Sequence, residues 1–324
     1  MQNRSRLAGR QYLVMMCVWI IAGVIMGIFG LGRFLNFYSS HTLAELEFLI
    51  PVLVLLFMDR FEVLRGTKMK ILGIRPILWT LLFTALLMPV IYFLNALSQL
   101  VVPNSVAASV EYFASITGYQ VWNNPLWLNL LFIAVLPAIV EEYIFRCVLY
   151  QGFRRCGLLK TALLTALMFG LAHGNLNQFL YAFAVGIFFV YLNEAAGTVY
   201  ASMLAHTLIN ASTVFLSFLE TRLPENVTSA MVVAENETAS VSDLSLVFWI
   251  ILGVIAGACM ILAVIVIRTI AKAAGREKVY LEARKGKDRL KGSEGRVFSV
   301  ELLIGLLIPV VYIGITMIIQ LVRR

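Results

Sequence analysis

The chain has 324 residues, of which 60% are hydrophobic and 14% charged, with a mean hydropathy of +0.88 and a net charge of +8. That charged share is too small for an ordinary soluble domain and points to an integral membrane protein. A basic balance of this size raises nucleic acid as a partner, but the placement of the charges along the chain argues against it.

Nine apolar stretches follow one another, at 12–32, 43–58, 76–101, 126–150, 158–173, 176–192, 198–219, 245–267 and 298–322. A bilayer core takes about 20 helical residues to cross. The expected fold is therefore all-α, a polytopic transmembrane bundle of eight or nine helices, with the second, fifth and sixth short enough to be partial spans. The first stretch follows Arg4, Arg6 and Arg10, lacks a small-residue cleavage site and reads as a retained helix. Residues 1–125 form an N-terminal set of helices and loops, 126–219 a central core, and 220–324 an outer loop, a helix, a basic segment and a last helix. Outer segment 220–244 carries two sequon triplets, at Asn226 and Asn236. Segment 268–297 is dense in Lys, Arg and Glu and reads first as a solvated linker, second as an interfacial helix.

If the N-terminus is cytoplasmic and nine helices alternate, all but Arg33, Arg222, Arg323 and Arg324 of the 26 Lys and Arg residues fall on the inner side. Arg146 is counted there at the inner end of its helix. This is the positive-inside pattern, and it places a multi-pass protein in the plasma membrane with its N-terminus inside. The basic patches suit anionic lipid headgroups rather than nucleic acid. Cys17, Cys147, Cys156 and Cys259 have no CxxC spacing and read as small apolar fillers. Gly23-x-x-x-Gly27 and Gly253-x-x-x-Gly257 read as helix contacts inside the protein.

Charge within the apolar core is costly and marks function. Three short patterns carry it: Glu141-Glu142…Arg146, Phe169…His173 and His206…Asn210, each in a different apolar segment. Glu142 and Arg146 stand at i and i+4, the orientation that favours an ion pair on one helix face. His206 and Asn210 share the same spacing. Glu141 is turned by about 100° from Glu142, so one carboxylate can pair with Arg146 while the other faces the bundle interior. Counted from the expected inner turns, Glu141, His173 and His206 lie roughly 18, 22 and 14 Å deep, so three helices can present them to one cavity. By contrast His41 has no motif around it and reads as an outer-loop residue, while Glu45 and Glu47 read as solvated at a membrane edge. Tyr143, Phe145 and Phe169 read as packing residues.

A carboxylate in an apolar cavity can act as a general base, and an imidazole can share a water with it or bind a metal. A second imidazole and an amide can stabilise an oxyanion. Together these groups would hydrolyse a peptide bond through activated water. Glu141, His173 and His206 are also a plausible zinc set, although the chain has no HExxH motif. Water activation by a divalent metal such as zinc, or without any cofactor, fits the residues equally.

The three patterns in order resemble the motifs EExxxR, FxxxH and HxxxN of the CPBP family, which joins CAAX prenyl endopeptidases with bacteriocin-processing and immunity (Abi) proteins. The resemblance covers residues 141–210. It implies an intramembrane endopeptidase acting on a membrane-associated peptide or protein. Glu141 would be its catalytic glutamate, helped by His173 to activate water. His206 and Asn210 would form the oxyanion site, and Glu142 and Arg146 would support the architecture. The family is commonly labelled a metalloprotease, although its prenyl-protease branch looks glutamate-dependent. The alternative from another class is a non-catalytic membrane scaffold or bacteriocin-immunity factor. A proton-coupled transporter ranks below both, since no inverted repeat or broken helix pair is evident.

Overall fold

The structure is a computed structural model that describes residues 4–60, 69–101, 124–220, 222, 246–285 and 298–322. Ten helices stand among them. They are α1 (Arg4–Phe29), α2 (Phe37–Met58), α3 (Ile74–Val101), α4 (Leu126–Cys156), α5 (Leu158–Ala172), α6 (Leu176–Ala196), α7 (Tyr200–Glu220), α8 (Leu246–Ala273), α9 (Glu277–Arg284) and α10 (Val300–Val322). Eight are long and apolar enough to cross a membrane, so the protein is a multi-pass integral membrane protein. The exceptions are α5, with 15 residues, and the short charged α9. Residues 102–123 and both sequons lie outside the described residues, as do 61–68 and 286–297.

Two of the three stretches expected to be short are full-length helices. α6 runs on to Ala196, and α2 begins at Phe37, where the Asn36 side chain accepts from the Ser39 amide and caps it. The apolar reading started α2 late because Ser39, Ser40 and His41 precede the apolar run. These polar residues are helical, and His41 lies on α2 rather than in an outer loop. Glu45 is 7% exposed, so it is not solvated at the membrane edge. It lies on the face of α2 that buries Val52 and Leu56 against the rest of the bundle, where a polar side chain meets protein instead of lipid. Residues 277–284 fold into α9, with Tyr280 and Ala283 buried, so this part of the basic segment is a helix and not a linker.

The bundle has two lateral packs with α4 to α7 between them. On one side α1, α2 and α10 bury Tyr12, Met15, Met16, Val52, Leu56 and Leu302 against α4 and α5. On the other α3 and α8 close on α6 and α7 through Phe83, Leu87, Phe189 and Ile267. A Cβ at Gly23 or Gly27 would meet nothing within 4 Å among the described residues, so no close helix contact stands there among them. Gly253 rests on Phe93, but Gly257 faces open space. Ion pairs gather at one end: Arg6 with Glu301 at 2.7 Å, Arg10 with Asp59 at 2.5 Å and Arg154 with Glu194 at 2.9 Å. Tyr150 also bonds Glu194, and Arg276 bonds the Glu194 carbonyl, so the ends of α4, α6 and α8 are tied together.

Between α5 and α6 the chain reverses at His173, Gly174 and Asn175. Gly174 has φ +66°, and a Cβ there would lie 3.0 Å from the Trp19 ring and 3.3 Å from Tyr312. Only glycine suits both the left-handed backbone and the close approach. Trp19 and Tyr312 are mid-helix residues of α1 and α10, so this reversal sits between two spanning helices rather than at a bundle end.

Candidate active site

α4 is not a uniform α-helix. Leu130–Val135 and Tyr143–Leu149 are π-helical turns flanking Leu136–Glu142, the stretch that carries both glutamates. Such wide turns inside α-helices recur at functional sites, and the sequence shows no sign of them. Arg146 lies within the second one.

Glu142 is completely buried. Its Oε1 lies 3.2 Å from Arg146 Nη1 and 3.1 Å from His206 Nδ1. The Arg146 contact is an ion pair without aligned hydrogen bonds, because both terminal guanidinium nitrogens lack a hydrogen-bond partner among the described residues. Aromatic rings supply the remaining contacts. The guanidinium carbon lies 4.1 Å from the Phe169 ring centroid, 5.5 Å from Phe189 and 5.9 Å from Phe145. Cation–π attraction is strongest where water is excluded, as in this box. Space for it comes from Gly186 on α6, where a Cβ would lie 2.9 Å from Ala166 and 3.4 Å from Arg146 Nη2.

His206 faces both carboxylates. Its Nδ1 is bonded to Glu142, and its Nε2 lies 3.7 Å from Glu141 Oε2. Because an ionised carboxylate only accepts, Nδ1 carries a proton and Nε2 is the atom turned toward Glu141. Glu141 is less enclosed than Glu142, with its side chain 17% exposed, and its Oε2 has no hydrogen-bond partner among the described residues. The expectation that one carboxylate pairs with Arg146 while the other faces the interior describes this arrangement. What it lacked was the bond from Glu142 to His206.

His173 caps the C-terminus of α5. Its Nδ1 lies 2.8 Å from the Phe169 carbonyl, so Nδ1 donates and a neutral ring keeps Nε2 as an acceptor. Its ring stands edge-on to Phe169, with centroids 4.8 Å apart, and Phe169 also touches His206 at 5.9 Å. His206 and Arg146 are its electrostatic neighbours. Phe169 therefore packs, as expected, and in doing so links His173, Arg146 and His206. Asn210 lies one turn beyond His206 on α7, half-buried, and among the described residues no contact joins it to the cluster.

Three residues escaped the sequence reading, and a fourth, Glu45, was read there only as solvated. Ser202, one turn before His206, is a polar neighbour of Glu142 and exchanges bonds of 2.7 and 3.0 Å with Asn193 of α6, which hold the start of α7. Its i−4 spacing from His206 was the available signal. Tyr181 of α6 and Glu45 of α2 are electrostatic neighbours of Glu141, and nothing in their sequence context marked them. Among the described residues no group of three His, Cys, Asp or Glu side chains is arranged to hold a metal ion.

Beside the cluster an apolar cleft of about 610 Å³ opens between α2, α4 and α7. Leu49, Val140, Tyr143, Leu204 and Thr207 line it. Val140 and Thr207 of its lining adjoin Glu141 and His206 in the chain.

The central helices of a multi-pass helical protein thus hold a Glu–Glu–Arg–His cluster. Residues 122–212, the segment that holds every motif residue named above, match the family model described as Rce1-like: Type II CAAX prenyl endopeptidase Rce1-like. The match covers well under half of the chain, so a type II CAAX prenyl endopeptidase is what this segment is similar to. No curated protein and no solved structure matches the chain.

Proposed function

We propose that the protein is a glutamate-dependent intramembrane endopeptidase that cleaves near the lipidated C-terminus of a prenylated, CAAX-type substrate. The observation that carries this reading is His206 placed between Glu142, at 3.1 Å, and Glu141, at 3.7 Å, in the matched segment. Glu141 is the base that takes a proton from the attacking water. A Glu141–His206 separation longer than a hydrogen bond is compatible with that role, since catalytic contacts tighten when substrate binds. Glu142 holds His206 by Nδ1, so that Nε2, when protonated, meets the negative charge developing on the substrate carbonyl. Asn210 completes this oxyanion site from the same helix face. His173, fixed through Nδ1 to the Phe169 carbonyl, offers Nε2 to the water. Arg146 keeps Glu142 ionised and in place.

The apolar cleft supports the substrate class. A prenyl chain entering between α2, α4 and α7 stays in apolar surroundings while the adjacent peptide bond reaches Glu141. The basic end of the bundle faces the cytoplasm, which puts the N-terminus inside.

The test is cleavage by the purified full-length protein in lipid nanodiscs, comparing a farnesylated CAAX-type peptide with its unlipidated form, each with and without chelator. Cleavage of the farnesylated peptide alone, insensitive to chelator, is expected. Loss of activity on chelation with recovery on added zinc would overturn the metal-free mechanism. Equal cleavage of both peptides would overturn the substrate class.

A further inference from the structure

One face of α6 carries the supports of the site. Gly186 leaves room for the Arg146 guanidinium, and Phe189 packs on Arg146 and on His206, with ring centroids 5.7 Å apart in the second contact. Asn193 bonds Ser202 through both atoms of its amide, and Gly197 ends the helix with φ +76°. Their positions, i, i+3, i+7 and i+11, keep all four on one stripe. The last of them is covered from outside the matched segment 122–212. A Cβ at Gly197 would lie 2.5 Å from Arg276 Cδ and Nε and 2.9 Å from its Cζ, so the Arg276 side chain lies directly across the glycine. Arg276 Nε also donates to the Glu194 carbonyl at 3.4 Å. The last carbonyls of a helix lack partners within it, and a cation placed there satisfies them.

We propose that Arg276 is a positioning residue for His206, acting through the turn between α6 and α7. This rests on the endopeptidase reading above. Arg276 is itself held firmly. Its amide donates to the Ala271 carbonyl at 2.7 Å and its carbonyl accepts from the Tyr280 amide at 2.9 Å, which joins α8 to α9. Tyr280 is buried in the core that holds Ile270, and Ala283 in the one that holds Tyr150, Leu158 and Val190. The α8–α9 corner is therefore anchored on α4, α5 and α6, and it presents Arg276 to Glu194 and Gly197.

From there each link to the imidazole is a bond. The Gly197 amide donates to the Asn193 carbonyl at 2.7 Å. The Asn193 side chain accepts from the Ser202 amide at 3.0 Å and donates to the Ser202 hydroxyl at 2.7 Å. Ser202 lies one turn before His206 on the same face of α7, and His206 Nδ1 meets Glu142 at 3.1 Å. A turn released from Arg276 lets the start of α7 shift, and the ring then leaves its bearing between Glu142 and Glu141. Arg276 touches neither substrate nor a reacting atom. A misplacement of about 1 Å at a reacting group costs up to a hundredfold in rate, so a shift relayed through one helical turn should cost about tenfold.

Two measurements on the full chain in nanodiscs decide the matter. The first needs no activity. The chain has three histidines, so imidazole ¹⁵N spectra of histidine-labelled protein are simple, and the His206 signals are those lost in His206→Gln. Arg276→Ala should shift the His206 signals and leave those of His41 and His173 in place, and Arg276→Lys, which keeps a donor for the Glu194 carbonyl, should restore them. Unchanged His206 signals in Arg276→Ala would overturn the proposal. So would an equal shift in Arg268→Ala, which breaks only the exposed Arg268–Glu277 pair of the same corner. If Arg276→Ala fails to fold, Arg276→Met, which keeps a stem over Gly197 and loses the donor, takes its place with the same expectations. The second measurement is steady-state cleavage of the farnesylated CAAX-type peptide. Arg276→Ala should lower kcat about tenfold with KM unchanged, and Arg276→Lys should recover most of it. A kcat within about twofold of wild type, or a rise in KM alone, would overturn the positioning role. Failure of the wild type to cleave any peptide would count against the endopeptidase reading, while the imidazole spectra would still decide whether Arg276 sets His206.

Discussion

Breaking the Glu142–Arg146 pair should destabilise the protein more than any other single change at the site. Both side chains are buried, 3.2 Å apart, and Arg146 is otherwise surrounded by Phe145, Phe169 and Phe189. Glu142→Leu would leave a guanidinium among aromatic rings with no counter-charge, at a cost of about 3–5 kcal/mol. It would also strip the acceptor from His206 Nδ1, adding about 1–3 kcal/mol for an unsatisfied buried donor. Arg146→Met alone should cost a similar amount by orphaning Glu142. The double variant Glu142→Leu/Arg146→Met removes both charges together and should recover most of the loss, since apolar replacement of a buried pair is often neutral. The assay is thermal and denaturant unfolding in detergent, followed by tryptophan fluorescence, run as a double-mutant cycle. A Glu142→Leu loss below about 1 kcal/mol, or a double variant that loses the sum of the singles, would refute the reasoning.

Other residues make separable predictions. Gly186→Ala pushes a methyl to 2.9 Å from Ala166 and toward Arg146, so it should lower stability by about 1–3 kcal/mol, read by the same unfolding assay. Asn193→Ala removes two bonds to Ser202 that hold the start of α7, and should cost about 1 kcal/mol for each, with kcat falling as His206 loses its setting. Leu204→Trp fills part of the apolar cleft and should raise KM for the farnesylated peptide more than it lowers kcat, as steady-state kinetics would show.

The membrane-spanning architecture was legible in the sequence because lipid demands long apolar runs, and nine such runs are present. The site was legible where spacing acts within one helix: Glu142 with Arg146 is a local relation and the structure keeps it. Relations between helices were not readable. That His206 takes Glu142 as its partner depends on how α7 crosses α4, and no spacing encodes the crossing. Glu45 and His41 were misplaced for a physical reason. A polarity-based reading assigns polar residues to water, whereas these lie on a helix face buried by protein. The π turns of α4 were invisible because Leu130–Val135 and Tyr143–Leu149 have ordinary helical compositions. The short α5 was anticipated from its length, but its reversal beside Trp19 and Tyr312 required knowing what α1 and α10 place there.

The central claim is that Glu141 and His206 together activate water and stabilise the oxyanion. It is tested most directly by single-turnover cleavage of the farnesylated peptide in nanodiscs, comparing wild type with Glu141→Gln and His206→Gln at matched folded fractions. Each variant should lower the rate of the chemical step at least a hundredfold, and the two together should lose little more than either alone, as groups acting as one unit do. A Glu141→Gln protein that cleaves within about tenfold of the wild-type rate would contradict the account.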